Sequence, residues 1–215
     1  MESLLDSITA HVKTQMNTND PSHNFAHVQR VLALSLSLLE RERTLNPGVV
    51  YDENAIKLAA LLHDLNDRKY TTSQLEGEGG VKALLLSHGA DASLVEKVHQ
   101  IVSHVSYTKE KSNPAKITEL IESRGLIELG IVQDADRLDA LGAVGIGRCF
   151  TFLGAKGREF LRGGEEWELG NAIEHFREKL EGLEARMKTT AGREMAVERS
   201  RRVRVFREWW EEEVG

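Results

Sequence analysis

Four segments of this 215-residue chain place histidine and carboxylate side chains beside strongly apolar helical sequence. A buried carboxylate without a partner is costly, and several that converge in one core repel each other. A divalent cation removes that conflict, because carboxylates and neutral imidazoles both bind it. A mixed set without thiolates suits Mn²⁺, Fe, Co²⁺, Ni²⁺ or Zn²⁺. The four segments are 21–31, 59–67, 101–104 and 131–139.

The adjacent pair His63 and Asp64 ends the most apolar helical segment of the chain. Neighbouring helical residues point about 100° apart, so the two side chains cannot both face away from a helical bundle. At the end of a helix, however, both can turn towards one ion. A helix cap or a salt bridge is the alternative role for this pair.

Apolar residues recur at the helical period along nearly the whole chain, which predicts an all-α bundle. The composition agrees, since 40% of the residues are apolar and the three prolines break few helices. Residues Lys109 to Pro114 are predicted to form a polar loop. Helices are predicted over about 2–17, 24–44, 53–65, 91–105, 115–124, 127–141, 143–161 and 192–212, with another from 171.

The charge balance limits the classes of partner. The net charge of −6 and the pI near 5.8 give no overall attraction for nucleic acid or anionic lipid. The apolar runs are far shorter than the roughly 18 residues of a membrane span. The start of the chain lacks the features of a secretory signal, and Cys149 is the lone cysteine. These features predict a cytoplasmic protein without nucleic-acid or membrane partners.

The order of the candidate ligands and their flanking residues is the most specific signal. His27 comes first, the His63-Asp64 pair follows, and Asp136 comes last. The flanking motifs are His-Asn-Phe-Ala-His-Val-Gln-Arg-Val, Ala-Ala-Leu-Leu-His-Asp and Asp-Ala-Asp-Arg-Leu-Asp-Ala-Leu-Gly-Ala-Val-Gly-Ile-Gly-Arg. This set resembles the HD-domain metal-dependent phosphohydrolases and is similar to their small YedJ/YpgQ-type members. The resemblance implies one HD-domain helical bundle over 1–215, with C-terminal helices in 165–215 packed on a catalytic core of 1–163.

The resemblance also implies a ligand set for one divalent ion, either Mn²⁺ or one of Fe, Co²⁺, Ni²⁺, Zn²⁺ and Mg²⁺. Asp134 competes with Asp136 for the last position, because it lies two residues away and faces nearly the opposite side of the helix. We favour Asp136, since Ala-Asp-Arg-Leu is the form that recurs in related nucleotide hydrolases. The implied ligands are His27, His63, Asp64 and Asp136.

In the resembling enzymes, the open positions of such an ion take water and a phosphate oxygen. Asp67 matches the acidic residue that orients the attacking water, so it is the expected general base beside the catalytic pair His63 and Asp64. Asp139 shares the face of Asp136 and is expected to hydrogen-bond a ligand and to contribute to substrate binding. The expected substrate contacts are Arg30, Lys69 and Arg137 for phosphate charge, and His23 and His104 as phosphate contacts or proton donors.

The expected substrate is a phosphate ester or anhydride of a small metabolite. The resemblance favours a nucleoside triphosphate cut to monophosphate and pyrophosphate, and it leaves a homodimer open. One alternative is a two-metal phosphodiesterase or di-iron oxygenase that also uses His88 and His104. Another alternative is a non-catalytic sensor that binds nucleotides in the same pocket.

Overall fold

The computed structural model describes residues 1–65, 80–161, 163–164 and 166–215, and within them it contains helices and no strand. The all-α prediction is therefore confirmed. Short 3₁₀ or π turns connect several of the helices. The α-helices are α1 (Glu2–Gln15), α2 (Phe25–Leu45), α3 (Glu53–Leu62), α4 (Gly80–Ser87), α5 (Ala92–Val105), α6 (Tyr107–Ser112), α7 (Pro114–Thr118), α8 (Ile127–Asp139), α9 (Gly142–Lys156), α10 (Gly170–Glu178) and α11 (Thr190–Val214).

Side-chain caps determine where α2 and α3 begin, the two helices that lead into the site. Asn24 Oδ1 accepts a hydrogen bond from the backbone N–H of Ala26 at 3.0 Å, which starts α2. Asp52 Oδ1 accepts one from Ala55 at 3.0 Å, which starts α3. Each cap satisfies a backbone donor that the first helical turn leaves without a partner.

Two strongly buried helices position candidate ligands: α3 ends directly before His63 and Asp64, and α8 carries Asp136 and Asp139. Residues 58–62 of α3 and 128–135 of α8 are all buried. Helix α3 packs against α1, α2, α5 and α8, while α8 also contacts α9 and α11. Among the described residues, no single helix is long and apolar enough to cross a membrane; α8 and the stretch Gly142–Phe160 pass that test only as a pair bent by 72°.

The predicted polar loop at Lys109 to Pro114 is wrong, because residues 107–112 form helix α6. Its inward residue is Glu110, which is buried and accepts hydrogen bonds from Arg137 and from Lys188 Nζ. A polar composition suggested a solvated loop, yet one carboxylate of the segment neutralises two cations from distant parts of the chain.

Asp134 fixes the start of the last helix. Its carboxylate accepts hydrogen bonds from the backbone N–H groups of Lys188 and Thr189, both at 2.8 Å, and from Thr189 Oγ1 at 2.7 Å. Burial raises the pKa of Asp134, although these hydrogen bonds act in the opposite direction. Gly192 lies directly against this carboxylate, because a Cβ on Gly192 would stand 2.2 Å from Asp134 Oδ2.

We expect Gly192→Ala to lower the free energy of unfolding by about 1–3 kcal/mol, because the added methyl group would collide with the buried carboxylate. Urea denaturation measures the change. Gly147→Ala is the matched control, since a Cβ there meets nothing within 4 Å and the residue lies inside α9. The control should be neutral or more stable by up to about 1 kcal/mol. Equal losses in both variants would contradict the assigned contact.

Candidate metal centre

Two histidines and two aspartates converge from α2, the end of α3 and α8. His27 Nε2 lies 3.1 Å from His63 Nε2 and 3.2 Å from Asp64 Oδ2. Asp136 Oδ1 lies 3.7 Å from His27 Nε2 and 3.8 Å from His63 Nε2. In the described part of the chain, one ligand atom each from His27, His63 and Asp64 lies within 4.8 Å of the other two, close enough to share a metal ion.

The Nδ1 atom of each ring already makes a hydrogen bond, and this determines whether Nε2 can act as a metal ligand. His27 Nδ1 donates to Asp139 Oδ2 at 2.8 Å, and His63 Nδ1 donates to the carbonyl oxygen of Ala60 at 2.9 Å. A carbonyl or carboxylate oxygen only accepts, so in the neutral rings both Nε2 atoms present lone pairs. Lone pairs 3.1 Å apart, next to carboxylates, repel unless a cation lies between them. This donor set fits a divalent metal ion.

The charges of the cluster also affect its acids. Burial alone would raise the pKa of Asp64, but the electrostatic attraction of His63 and the contact with His27 Nε2 outweigh it and hold that pKa well below its usual value. Asp64 is therefore a carboxylate, as a metal ligand must be.

Asp136 and Asp134 face opposite sides of α8. Asp136 approaches both histidines, whereas Asp134 binds the backbone at the start of α11. Of the two competing acids, the structure brings only Asp136 to the cluster.

Asp139 lies behind His27 rather than in the open part of the site. Its side chain is 2% exposed and accepts hydrogen bonds from His27 and from Arg30 Nε at 2.7 Å. Burial would raise the pKa of Asp139, but these two hydrogen bonds and the charge of Arg148 hold it far below its usual value. The expected substrate contact is thus corrected, because a buried carboxylate facing three donors orients His27 instead.

Two arginines flank the cluster through Asp139. Arg30, an expected phosphate contact, binds both Asp139 oxygens and remains 35% exposed. Arg148 is 12% exposed, lies 3.1 Å from Asp139 Oδ2 and donates to the carbonyl oxygen of Ser22 at 2.7 Å. Arg148 had no predicted role, although it ends the longest motif that carries the family resemblance.

Arg137 does not fit its expected role in substrate binding. Its side chain is buried, pairs with Glu110 and hydrogen-bonds Gln133 at 3.3 Å. Because Arg137 follows Asp136 on the helix, it points away from the cluster side of α8. The buried ion pair occupies its guanidinium.

The other predicted histidines have separate surroundings. The ring of His23 lies 5.9 Å from that of His27, centroid to centroid, and its Nδ1 lies 2.7 Å from Ser22 Oγ. His104 Nδ1 donates to the carbonyl oxygen of Gln100 at 2.8 Å.

The second metal site of the two-metal alternative is not formed by the described residues. The ring centroid of His88 lies 6.4 Å from that of His11, and the group of metal-type ligands found among the described residues contains neither His88 nor His104. Asp67 and Lys69 lie outside the described residues.

Comparison with known proteins gives the family. The family model described as HD domain matches residues 24–141. The Bacillus subtilis (strain 168) protein YpgQ, itself uncharacterised, is 34% identical over 194 residues, which cover 90% of this chain and 85% of YpgQ.

Solved structures extend the similarity to nearly the whole chain. A crystal structure of Bacillus subtilis YpgQ in complex with ADP has a TM-score of 0.73 at 30% identity, covering 98% of this chain and 97% of that one. An HD-superfamily hydrolase from Bacillus thuringiensis has a TM-score of 0.68 at 30% identity, covering 97% and 95%. The chain belongs to the HD domain family and is a metal-dependent phosphohydrolase of the HD superfamily.

Proposed function

We propose that this HD hydrolase uses water to cleave a nucleoside triphosphate into a nucleoside monophosphate and pyrophosphate, with one divalent ion per chain. The observation that carries the proposal is the cluster of two imidazole Nε2 atoms and two carboxylates, with two arginines beside it. The nucleotide part of the proposal is supported by the ADP in the YpgQ complex.

His27, His63, Asp64 and Asp136 would hold the ion, for which we propose Mn²⁺. A divalent ion in such a site supplies a Lewis acid that polarises a phosphoryl group and makes water more acidic. With four side chains as ligands, an ion that takes six ligands would have positions left for substrate and water.

The surrounding residues orient the ligands and balance the substrate's charge. Asp139 keeps His27 in the tautomer that is protonated on Nδ1, so that Nε2, which faces the cluster, carries the lone pair. Arg30 is the arginine suited to a phosphate oxygen, since part of its side chain reaches solvent, while the more buried Arg148 contributes positive charge from behind Asp139. Fixed cations of this kind stabilise charge that develops on phosphoryl oxygens.

The roles of three further residues stay predictions from the family resemblance. Asp67 would accept the proton of the attacking water, and Lys69 would contact phosphate. His23, next to His27, would contact phosphate from the outer side of the cluster.

We expect Asp136→Ala to weaken Mn²⁺ binding at least about 100-fold, because it removes a charged ligand. Asp134→Ala should bind Mn²⁺ within about threefold of the wild type, yet its metal-free form should lose about 2–4 kcal/mol of unfolding free energy, because buried donors lose their acceptor. Titration calorimetry and urea denaturation measure the two effects. A reversed pattern, with Asp134 needed for the ion, would refute the ligand set.

We expect Asp139→Asn to weaken Mn²⁺ binding by about 10–100-fold, since a neutral amide no longer holds and polarises His27 as the carboxylate does. Glu128→Gln is the matched control: it also removes a buried carboxylate of α8, one that binds Lys97 and the backbone N–H of Asp52. The control should reduce stability and leave Mn²⁺ affinity unchanged. Equal affinity losses would show that any buried charge of α8 has this effect.

We expect the Mn²⁺-loaded wild type to release pyrophosphate from nucleoside triphosphates, and His63→Ala to reduce the rate at least about 100-fold. Colorimetric phosphate and pyrophosphate assays over a nucleotide panel measure this. His88→Ala should retain the wild-type rate, whereas its inactivation together with two ions per chain would favour the two-metal alternative. A nucleotide that binds with Mn²⁺ and remains uncut would favour the sensor.

A further inference from the structure

Three aromatic rings, each in contact with the next, lead outward from the candidate metal centre. The ring centroid of His23 lies 5.9 Å from that of His27 and 5.4 Å from that of Phe152. Phe160 follows, with its centroid 5.4 Å from that of Phe152. We call His23, Phe152 and Phe160 the aromatic row. It connects the metal ligands to the surface through rings in contact.

Phe152 faces a different side of α9 from the aromatic residue that belongs to the core. Phe150, two positions earlier, packs against Phe176 and Phe206 at centroid distances of 6.1 and 5.9 Å. Residues two apart on a helix point in nearly opposite directions. Phe152 therefore lies on the side of α9 that faces His23, and Phe160 continues this row with 52% of its surface exposed.

The same side of α9 combines a cation with a ring. Arg148 lies four residues before Phe152, so the two share one helix face and are separated by about 6 Å along the axis. Arg148 contacts Asp139 next to the ligand cluster, whereas Phe152 lies beyond His23. Positive charge near the metal ligands and aromatic surface farther out match the order of phosphate and base in a nucleotide.

We propose that the two outer rings of the aromatic row bind the base of the nucleotide substrate, with Phe160 as the ring on which the base stacks and Phe152 supporting it, while His23 lies at the phosphate end of the row. This inference rests on the nucleotide substrate proposed above. Stacking recognises the π-face that every base has, so it contributes affinity with little selection among bases. Purine nucleotides should bind only a few-fold more tightly than pyrimidine nucleotides.

Titration calorimetry of the Mn²⁺-loaded protein with ADP and with pyrophosphate tests the proposal. Phe160→Ala should raise the Kd for ADP by about tenfold, within the range of one lost stacking contact, and leave the Kd for pyrophosphate unchanged. Trp209→Ala is the matched control, since it removes a 59% exposed aromatic side chain from α11 and should change neither value.

Three results would overturn the aromatic row as the base site. They are wild-type ADP affinity in Phe160→Ala, an equal loss for ADP and pyrophosphate, and no binding of ADP to the wild type. These Kd values are measured without turnover, so they do not depend on whether the protein hydrolyses triphosphates. ADP binding that depends on Phe160, in a protein that cuts no triphosphate, would support the base site and refute the proposed hydrolysis.

Discussion

The hydrogen bond between the buried Asp139 carboxylate and His27 Nδ1 is the interaction on which the site depends. It connects α2 to α8 and determines which nitrogen of His27 faces the other ligands. The carboxylate can remain ionised in the interior only because Arg30 and Arg148 also bind it. A buried charge that is fully paired can orient a neighbouring group at modest cost, whereas an unpaired one would be neutralised.

Helix α8 uses three aspartates within six positions for three different tasks. Asp134 anchors the start of α11, Asp136 faces the histidines, and Asp139 orients His27. The helical period points Asp134 away from the other two, whereas Asp136 and Asp139 share a face and approach the two different nitrogens of the His27 ring. The position of the ligands is consequently coupled to the packing of the core.

The sequence predicted the all-α fold and the family, because apolar periodicity and the order of the ligand motifs are local properties of the chain. Roles that depend on a distant partner were harder to predict. Arg137 was expected at the substrate, yet Glu110 pairs with it from a segment whose polar composition resembles a loop. Arg148 was missed because its partner Asp139 lies on a different helix, and no periodicity reports such a pairing.

Because α11 is anchored to α8, the part of the chain needed for stable folding is longer than the matched HD segment. The matched HD segment ends at residue 141, yet Asp134 inside it takes its hydrogen-bond donors from Lys188 and Thr189. Glu42, also inside it, accepts from the backbone N–H of Ala191 at 2.7 Å. An excised motif would leave the Asp134 carboxylate without these donors and Glu42 with Asn46 Nδ2 but without the donor from α11. The autonomous folding unit therefore extends well beyond the segment that defines the family.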